Sequence, residues 1–262
     1  MNKTCWNSFL RHYSRVRLLA KWARRRSRRS QSISFMRGFI RENDLVFDIG
    51  ANYGWKTELF LSLGARVIAV EPQTECIKVL CRKFGHDPSV VIEPFAAGSS
   101  ESRSKIWKSD VRNQLSSMDP EWISAVKDSG RFSRFEWSST ESVNVTTLDR
   151  LIGKHGLPAF CKIDTEGYEL NVIKGLSQAI NVISLEYHAE FIKSAFESLE
   201  IIDGLDDYHY NYTVGERPGF AGETWTNAEA VLHAIASEKS GRLQGDIYAR
   251  KAFPLVTPGA VN

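Results

Sequence analysis

The alternation of apolar and polar residues predicts a parallel β-sheet with helices on both faces. From residue 45 onward, short apolar runs of strand length are separated by segments with helical periodicity, which is the pattern of βαβ units. The predicted strands cover residues 45–47, 66–70, 89–92, 160–163 and 181–185, and the first helices cover 56–63 and 74–84. The predicted fold class is therefore α/β, with a Rossmann-like, doubly wound and mostly parallel sheet.

Residues 98–147 interrupt this rhythm. Segments 102–108 and 142–147 alternate like antiparallel strands, and a polar stretch separates them. Two late segments, 208–214 and 246–250, are expected to close the sheet as an antiparallel pair. Because no repeat or linker divides the body, residues 42–262 are predicted to form a single domain with a β-rich insertion.

The segment before this body, residues 1–41, is strongly basic. It holds twelve of the 34 Lys and Arg residues and none of the 31 Asp and Glu residues, so the body carries 22 basic and 31 acidic side chains. Apolar residues between 6 and 23 recur at spacings of three and four, as in an amphipathic helix. Such an arm suits an anionic membrane surface or nucleic acid. A solvated or core-packed helix is the third interpretation.

Cysteine usage and hydropathy indicate the compartment. The four cysteines, Cys5, Cys76, Cys81 and Cys161, form no CxxC pair, so reduced thiols in a cytoplasmic protein are expected. No apolar run reaches the roughly 18 residues of a membrane-spanning helix, and the N-terminal segment lacks the apolar stretch of a signal peptide. We therefore expect a cytoplasmic protein that touches a membrane at most peripherally.

The sequence LVFDIGANYG at residues 45–54 predicts a ligand-binding turn. An apolar strand delivers Asp48, and the Gly50-x-Asn52-x-Gly54 pattern then forces a tight turn at the carboxyl edge of the sheet, where ligands bind in such folds. Glu71 ends the second strand, 21 residues after Gly50. An acid at that place can accept hydrogen bonds from both hydroxyls of a ribose.

The same turn excludes two common ligands. The dinucleotide pattern GxGxxG fails at Asn52 and Trp55, and Trp55 also replaces the glycine that precedes the lysine of a phosphate-binding loop. A nucleoside without a pyrophosphate is left, for which S-adenosylmethionine is the obvious candidate. Asp48, Gly50, Asn52, Gly54 and Glu71 are the predicted cofactor-binding residues.

A second cluster of acids follows the strand at 160–163, in the sequence FCKIDTEGYE. By position, Asp164 is the predicted general base, with Lys162, Glu166 and Glu169 orienting it or the acceptor. Glu166 and Glu169 also have a structural explanation, because acids favour the first turn of a helix. His188 is the competing base. A divalent cation held by Asp164, Glu166 and Glu169 is an open alternative, but the spacing does not specify one, and no metal site is predicted.

These motifs together resemble the FkbM-type methyltransferase family over about residues 44–190. The matching segments are Val46-Phe47-Asp48-Ile49-Gly50-Ala51-Asn52-x-Gly54, Ala69-Val70-Glu71-Pro72, Thr146-Thr147-Leu148-Asp149, Lys162-Ile163-Asp164-x-Glu166-Gly167-x-Glu169 and Lys174-Gly175. The resemblance implies an S-adenosylmethionine-dependent enzyme with the seven-stranded methyltransferase sheet. It also implies O-methylation of a hydroxyl on a sugar, glycolipid or polyketide-like product.

Two other functions stay open at this point. An RNA methyltransferase would use the basic arm to hold phosphate, and a catalytically silent nucleoside-binding protein would keep the turn without the chemistry. The acidic body and the lack of a basic aromatic stripe near the motifs argue against RNA. The expected partner is therefore a small-molecule, glycan or glycolipid acceptor, and nucleic acid is not expected.

Overall fold

The computed structural model describes residues 26–215, 217–238 and 244–252. Its strands are β1 (Leu45–Ile49), β2 (Arg66–Val70), β3 (Val90–Glu93), β4 (Ala96–Ala97), β5 (Ser102–Lys108), β6 (Ser139–Thr146), β7 (Phe160–Ile163), β8 (Val182–His188), β9 (Tyr208–Tyr212) and β10 (Gln244–Lys251). Residues 26–36 are helical and are called α1. The later helices are α2 (Trp55–Leu61), α3 (Thr74–Phe84), α4 (Pro120–Asp128), α5 (Leu148–His155), α6 (Glu169–Ile173), α7 (Ile192–Asp203) and α8 (Ala228–Ala236).

Seven strands form the main sheet in the order β3-β2-β1-β7-β8-β10-β9. In this sheet β3, β2, β1, β7 and β8 are parallel to one another, whereas β10 is antiparallel to both of its neighbours, β8 and β9. This order confirms the predicted doubly wound α/β fold and its antiparallel closing pair. The insertion forms a separate sheet in the order β4-β6-β5. Its β5 and β6 are antiparallel as expected, and the two-residue strand β4 was not predicted.

Helices cover both faces of the main sheet because successive strand residues point to opposite sides. Val46, Phe160 and Val182 face α1 and α2 and form one core cluster with Phe60 and Tyr248. The alternate residues of the same strands, among them Phe47, Cys161 and Ile183, form a larger core with residues of α5, α6, α7 and α8. Apolar runs along these strands are therefore buried on both faces, as parallel sheets require.

The end of the basic segment belongs to this packing. Met36 of α1 and Ile40 are 5% and 2% exposed and pack against Phe60, Phe160 and Tyr248. The predicted amphipathic helix at residues 6–23 lies outside the described residues. The division of the chain at residue 41 stays a prediction, and residues 36–40 contribute to the core of the body. Within the described ranges, no helix combines the length and hydropathy needed to cross a membrane.

Candidate active site

The glycine turn after β1 is shaped by close packing. Gly50 has a φ of 82°, and a Cβ atom there would lie 1.8 Å from the carbonyl oxygen of Asp164. Gly54 has a φ of 79°, and its Cβ would lie 2.5 Å from the ring of Phe84 in α3. The N–H groups of Gly50 and Ala51 both donate to the carbonyl oxygen of Val70. These glycines therefore bring β1 against β7 and α3, and the N–H of Gly50 is occupied by β2.

Glu71 organises the far side of this turn. Its Oε2 accepts a hydrogen bond from the backbone N–H of Asn52 at 2.8 Å, and its Oε1 accepts one from the N–H of Gln73 at 2.8 Å. Burial raises the pKa of Glu71 to about 7, although these two N–H donors oppose the shift. Each oxygen keeps a second lone pair, so the carboxylate can hold the turn and still accept hydrogen bonds from a ligand.

Gln73 has an acceptor without a partner. The side chain is 3% exposed, and no described residue donates a hydrogen bond to its Oε1. Its amide Nε2 donates to the carbonyl oxygen of Asn113 at 3.2 Å. A buried polar atom without a hydrogen bond is costly, so Oε1 is an unfavourable acceptor in this loop. Sequence reasoning missed this residue, although it lies two positions after Glu71.

Asp48 lies behind the turn. Its Oδ2 accepts a hydrogen bond from the Oγ1 hydroxyl of Thr57 in α2 at 2.5 Å. Burial raises the pKa of Asp48 to about 6, with Thr57 and Lys162 acting in the opposite direction. This side chain fixes the start of α2 against β1, so any effect of Asp48 on a cofactor passes through the turn.

The strand register places a row of polar side chains on one face of the sheet. Asp48 pairs with Lys162, Lys162 pairs with Ser184, and Glu186 pairs with Asp246. Since residues two apart in a strand share a face, Asp164 and Glu186 join this row at the carboxyl edge. Asp246 and Glu186 come from β10 and β8 and were not among the predicted site residues.

Lys162 neutralises part of this row. Its Nζ lies 3.1 Å from Oδ2 of Asp164 and 3.0 Å from Oδ1 of Asp246, with a side chain only 3% exposed. Burial alone would lower the pKa of Lys162, but these two carboxylates outweigh it and raise that pKa well above its usual value. Burial likewise opposes ionisation of Asp164, yet Lys162 and Lys56 hold the pKa of Asp164 below its usual value.

His188 connects two further carboxylates. Its Nε2 lies 3.2 Å from Oε2 of Glu186 and 3.7 Å from Oε2 of Glu166. Its Nδ1 lies 3.3 Å from Nη1 of Arg131, and its ring packs edge-on against Trp122 of α4. Two residues of the insertion, Arg131 and Trp122, thus contact His188. Neither Arg131 nor Trp122 carries a motif that would have revealed this role.

Glu166 and Glu169 have different surroundings. Glu166 has a φ of 53°, an uncommon left-handed conformation for a residue with a side chain, and its carbonyl oxygen accepts a hydrogen bond from Ser117 at 2.6 Å. The Oε1 of Glu169 accepts hydrogen bonds from the N–H groups of Thr165 and Gly167 at 2.7 and 3.3 Å. Glu169 therefore ties the loop before α6.

One cavity of about 1080 Å³ runs from the glycine turn to the acidic row. Five of the predicted site residues line it, namely Gly50, Asn52, Glu71, Asp164 and Glu166. The other five, Asp48, Gly54, Lys162, Glu169 and His188, lie behind its wall. Gln73, Arg131, Glu186 and Asp246 line it without having been predicted. Basic side chains of α1, including Arg28, also reach it.

The described residues offer one group of potential metal ligands. Glu166, Glu186 and His188 place ligand atoms within 4.8 Å of one another. This set differs from the alternative set of Asp164, Glu166 and Glu169, because Glu169 is engaged in its own loop. Glu186 takes the place of Glu169 because β8 lies beside β7 in the sheet.

Comparison with known proteins identifies the family. Residues 48–212 match the methyltransferase FkbM domain. The hexuronic acid methyltransferase AglP of Haloferax volcanii is 30% identical over 155 residues, which cover 56% of this chain and 57% of AglP. This chain therefore spans just over half the length of that curated relative.

Solved structures with similar architecture have low sequence identity to this chain. A precorrin-6y C5,15-methyltransferase from Geobacter metallireducens is 12% identical, with a TM-score of 0.45 and coverage of 86% of this chain and 87% of that one. A putative methyltransferase from Streptococcus mutans in complex with SAH is 10% identical, with a TM-score of 0.40 and coverage of 84% and 96%. The domain match covers well over half of the chain, and this protein belongs to the FkbM methyltransferase family.

Proposed function

We propose that this protein is an S-adenosylmethionine-dependent O-methyltransferase that methylates a hydroxyl of a sugar or glycan acceptor. The observation that carries the proposal is the cavity itself. Glu71 and Gln73 line it on the β2 side of the sheet, which we call the donor end, and Asp164, Glu166 and Glu186 line it on the β7 and β8 side, the acceptor end. A nucleoside-type donor and a hydroxyl-bearing acceptor can thus bind in the same cavity.

The donor end suits the nucleoside part of S-adenosylmethionine. The free lone pairs of Glu71 can accept hydrogen bonds from the two ribose hydroxyls. Gln73, two residues after Glu71, lines the same end of the cavity. Leu115 and Phe95 add apolar surface to this cavity, as expected where a ligand packs. When bound, S-adenosylmethionine supplies a methyl group already activated by a positively charged sulfur.

The acceptor end favours a polar, hydroxyl-rich molecule. Carboxylates accept hydrogen bonds from sugar hydroxyls, and Arg28, Lys56 and Arg112 at the same cavity can interact with an anionic group. The name of AglP states that it acts on a hexuronic acid, which supports testing acceptors that carry both hydroxyl and carboxylate groups. RNA is the weaker candidate because the body after residue 41 carries 31 acidic against 22 basic side chains.

Calorimetric titration with S-adenosylmethionine tests the donor assignment. Wild type should bind saturably, and Glu71→Ala should weaken the affinity by about tenfold or more, since each lost hydrogen bond to a charged group is worth about 1.5–3 kcal/mol. Glu101→Ala is the matched control, because Glu101 is an exposed acid paired with Arg150 on the surface. Wild-type affinity in the Glu71 variant would reject the ribose assignment.

A screen of acceptors tests the reaction class. Release of S-adenosylhomocysteine should depend on adding glycosides of uronic acids or neutral sugars, and mass spectrometry should find one added methyl group on oxygen. Methyl transfer to RNA, or none to any hydroxyl-bearing acceptor despite saturable donor binding, would reject the O-methyltransferase proposal.

A further inference from the structure

Asp164, the base predicted from its motif, has a carboxylate whose basicity is lowered by its neighbours. Its Oδ2 lies 3.1 Å from the ammonium group of Lys162, and Lys56 also favours its ionised form. A carboxylate whose charge is stabilised by two cations is a weak proton acceptor. The cavity must therefore supply another group if the acceptor hydroxyl is to lose its proton efficiently.

Glu186 and Glu166 lie beside Asp164, and among the described residues neither has a lysine within ion-pair distance, although Lys162 favours the ionised form of Glu186 from farther away. Their side chains are 11% and 16% exposed, and both line the cavity. Among the described residues, the only ion-pair contact of either glutamate is with His188. The groups facing Glu186 are Lys162 from β7, Asp164 and Glu166 from the loop after β7, Asp246 from β10, His188 from its own strand, and Glu169 from α6.

The protonation of His188 follows from its other neighbour. A guanidinium group can only donate hydrogen bonds, so the contact between Arg131 and Nδ1 requires Nδ1 to act as the acceptor. The proton of a neutral imidazole must then be on Nε2, which points toward Glu186 and Glu166. Arg131 is itself held by Glu190 at 3.4 Å. In this arrangement, His188 donates to the glutamates, and neither ring nitrogen is free to take a substrate proton or bind a metal.

We propose that Glu186, paired with Glu166, is the base that receives the proton of the acceptor hydroxyl, and that His188 and Arg131 are positioning residues. This inference rests on the proposed function. As the acceptor oxygen forms its bond to the methyl carbon and the carbon–sulfur bond breaks, the hydroxyl proton passes to the carboxylate of Glu186. The resulting carboxyl group later releases that proton to water through the open side of the cavity.

The electrostatics of the pair agree with this role. Burial raises the pKa of Glu186 well above its usual value and the nearby Asp164 raises it further, while Lys162 acts in the opposite direction without reversing the shift. Burial and Glu186 do the same for Glu166. Two carboxyl groups that repel one another hold one proton between them over a range of pH, which brings their basicity toward neutral pH.

Activity measurements with an acceptor from the screen separate the candidates. Glu186→Gln should lower kcat by about 10²–10⁴-fold while the calorimetric affinity for S-adenosylmethionine stays within about twofold. Asp164→Asn should lower kcat less than Glu186→Gln does, and the dependence of its kcat on pH should stay as in wild type. Full activity in the Glu186 variant, with activity lost in the Asp164 variant, would return the base assignment to Asp164.

A second measurement needs no acceptor. In protein labelled with ¹³C at the glutamate carboxyl carbon, the resonances lost in Glu186→Gln and Glu166→Gln identify the pair. Both should titrate above the ordinary glutamate value of about 4.3, and each substitution should shift the midpoint of the other glutamate. His188→Ala should raise these midpoints by removing an N–H donor, and His188→Gln should restore them. Independent titration at ordinary values would overturn the proposal.

Two outcomes distinguish this inference from the proposed function. Coupled titration without any binding of S-adenosylmethionine would reject the donor assignment while leaving the carboxyl pair in place. Saturable binding of Mn²⁺, measured by electron paramagnetic resonance and lost in Glu186→Gln, would show that Glu166, Glu186 and His188 form a metal site, and it would overturn the base role.

Discussion

At position 50 only glycine fits, because its side chain is a single hydrogen atom. Gly50 was predicted to be a cofactor-binding residue, and its N–H is bonded to the carbonyl oxygen of Val70 in β2. What requires glycine is the carbonyl group of Asp164, which a Cβ would meet at 1.8 Å. The same contact links the turn to the residue that begins the acidic row.

Gly50→Ala should therefore be strongly destabilising. We expect a loss of more than about 3 kcal/mol in the free energy of unfolding, because a positive φ and a clash with backbone act together. Urea unfolding measures this. Gly153→Ala is the control, since Gly153 lies in α5 with nothing within 4 Å of an added Cβ. That change should be neutral or stabilise by up to about 1 kcal/mol, and equal losses at both positions would contradict the explanation.

Glu71 makes a prediction about pH. Folding raises the pKa of Glu71 from 4.5 to about 7, so the folded chain binds this proton more tightly than the unfolded chain. Its stabilising effect is complete below about pH 4.5 and is lost as the pH rises to 7. Relative to Glu71→Gln, wild type should lose roughly 3 kcal/mol of unfolding free energy over that interval. A constant difference between the two proteins from pH 4.5 to 7.5 would contradict the shift.

At the scale of elements, the strands were predictable and their polar neighbours were not. Each parallel strand of the main sheet has a run of apolar residues in the sequence that is enough to locate it, whereas β9 and β10 have none. Glu186 and Asp246 meet only because β10 inserts between β8 and β9 in antiparallel orientation. Neither residue follows a glycine turn or carries a motif, so the sequence gives no sign that these two carboxyl groups share a cavity.

The packing of helix α1 differs from what its charge predicts. Its basic residues placed it in the N-terminal arm, yet Met36 is buried against the sheet. Met36→Ala should cost about 2–5 kcal/mol of unfolding free energy because it leaves a cavity in the core. Ser34→Ala, at an exposed position of the same helix, should change stability by less than about 0.5 kcal/mol. Thermal and urea unfolding check both, and a harmless Met36 variant would show that α1 packs only loosely.

For the whole molecule, the net charge of +3 conceals an acidic body and a basic N-terminal segment. Deleting residues 1–25 removes seven of the twelve basic side chains of residues 1–41 and leaves α1 in place. If these charges bind an anionic membrane, the truncated chain should sediment with phosphatidylserine vesicles far less than the full-length chain when both are measured at low salt. Each basic residue contributes about 1 kcal/mol to such binding. Donor affinity and thermal stability should be unchanged.

The control replaces the same seven residues with glutamine in the full-length chain, which removes the charge and keeps the segment. Both variants should behave alike if charge is the cause. Undiminished vesicle binding would discard the peripheral membrane role. Loss of RNA retention in place of vesicle binding would support the nucleic-acid interpretation of the segment.

The sequence by itself determined the fold class, the position of most elements and the two motif-bearing strand ends. It could do so because strand burial, glycine turns and strand-end acids are local patterns with a fixed spacing. It also gave the family, which the match over residues 48–212 confirms.

Only the tertiary structure decided which of these residues face the cavity. Lys162 neutralises Asp164, Glu169 ties its own loop, and Glu186 joins Glu166 beneath His188. These relations depend on strand order and on the helix that the insertion places over His188, and both bring together residues far apart in the chain. The charge and hydrogen bonds of a side chain depend on such neighbours, so a motif can locate a carboxyl group without specifying its chemistry.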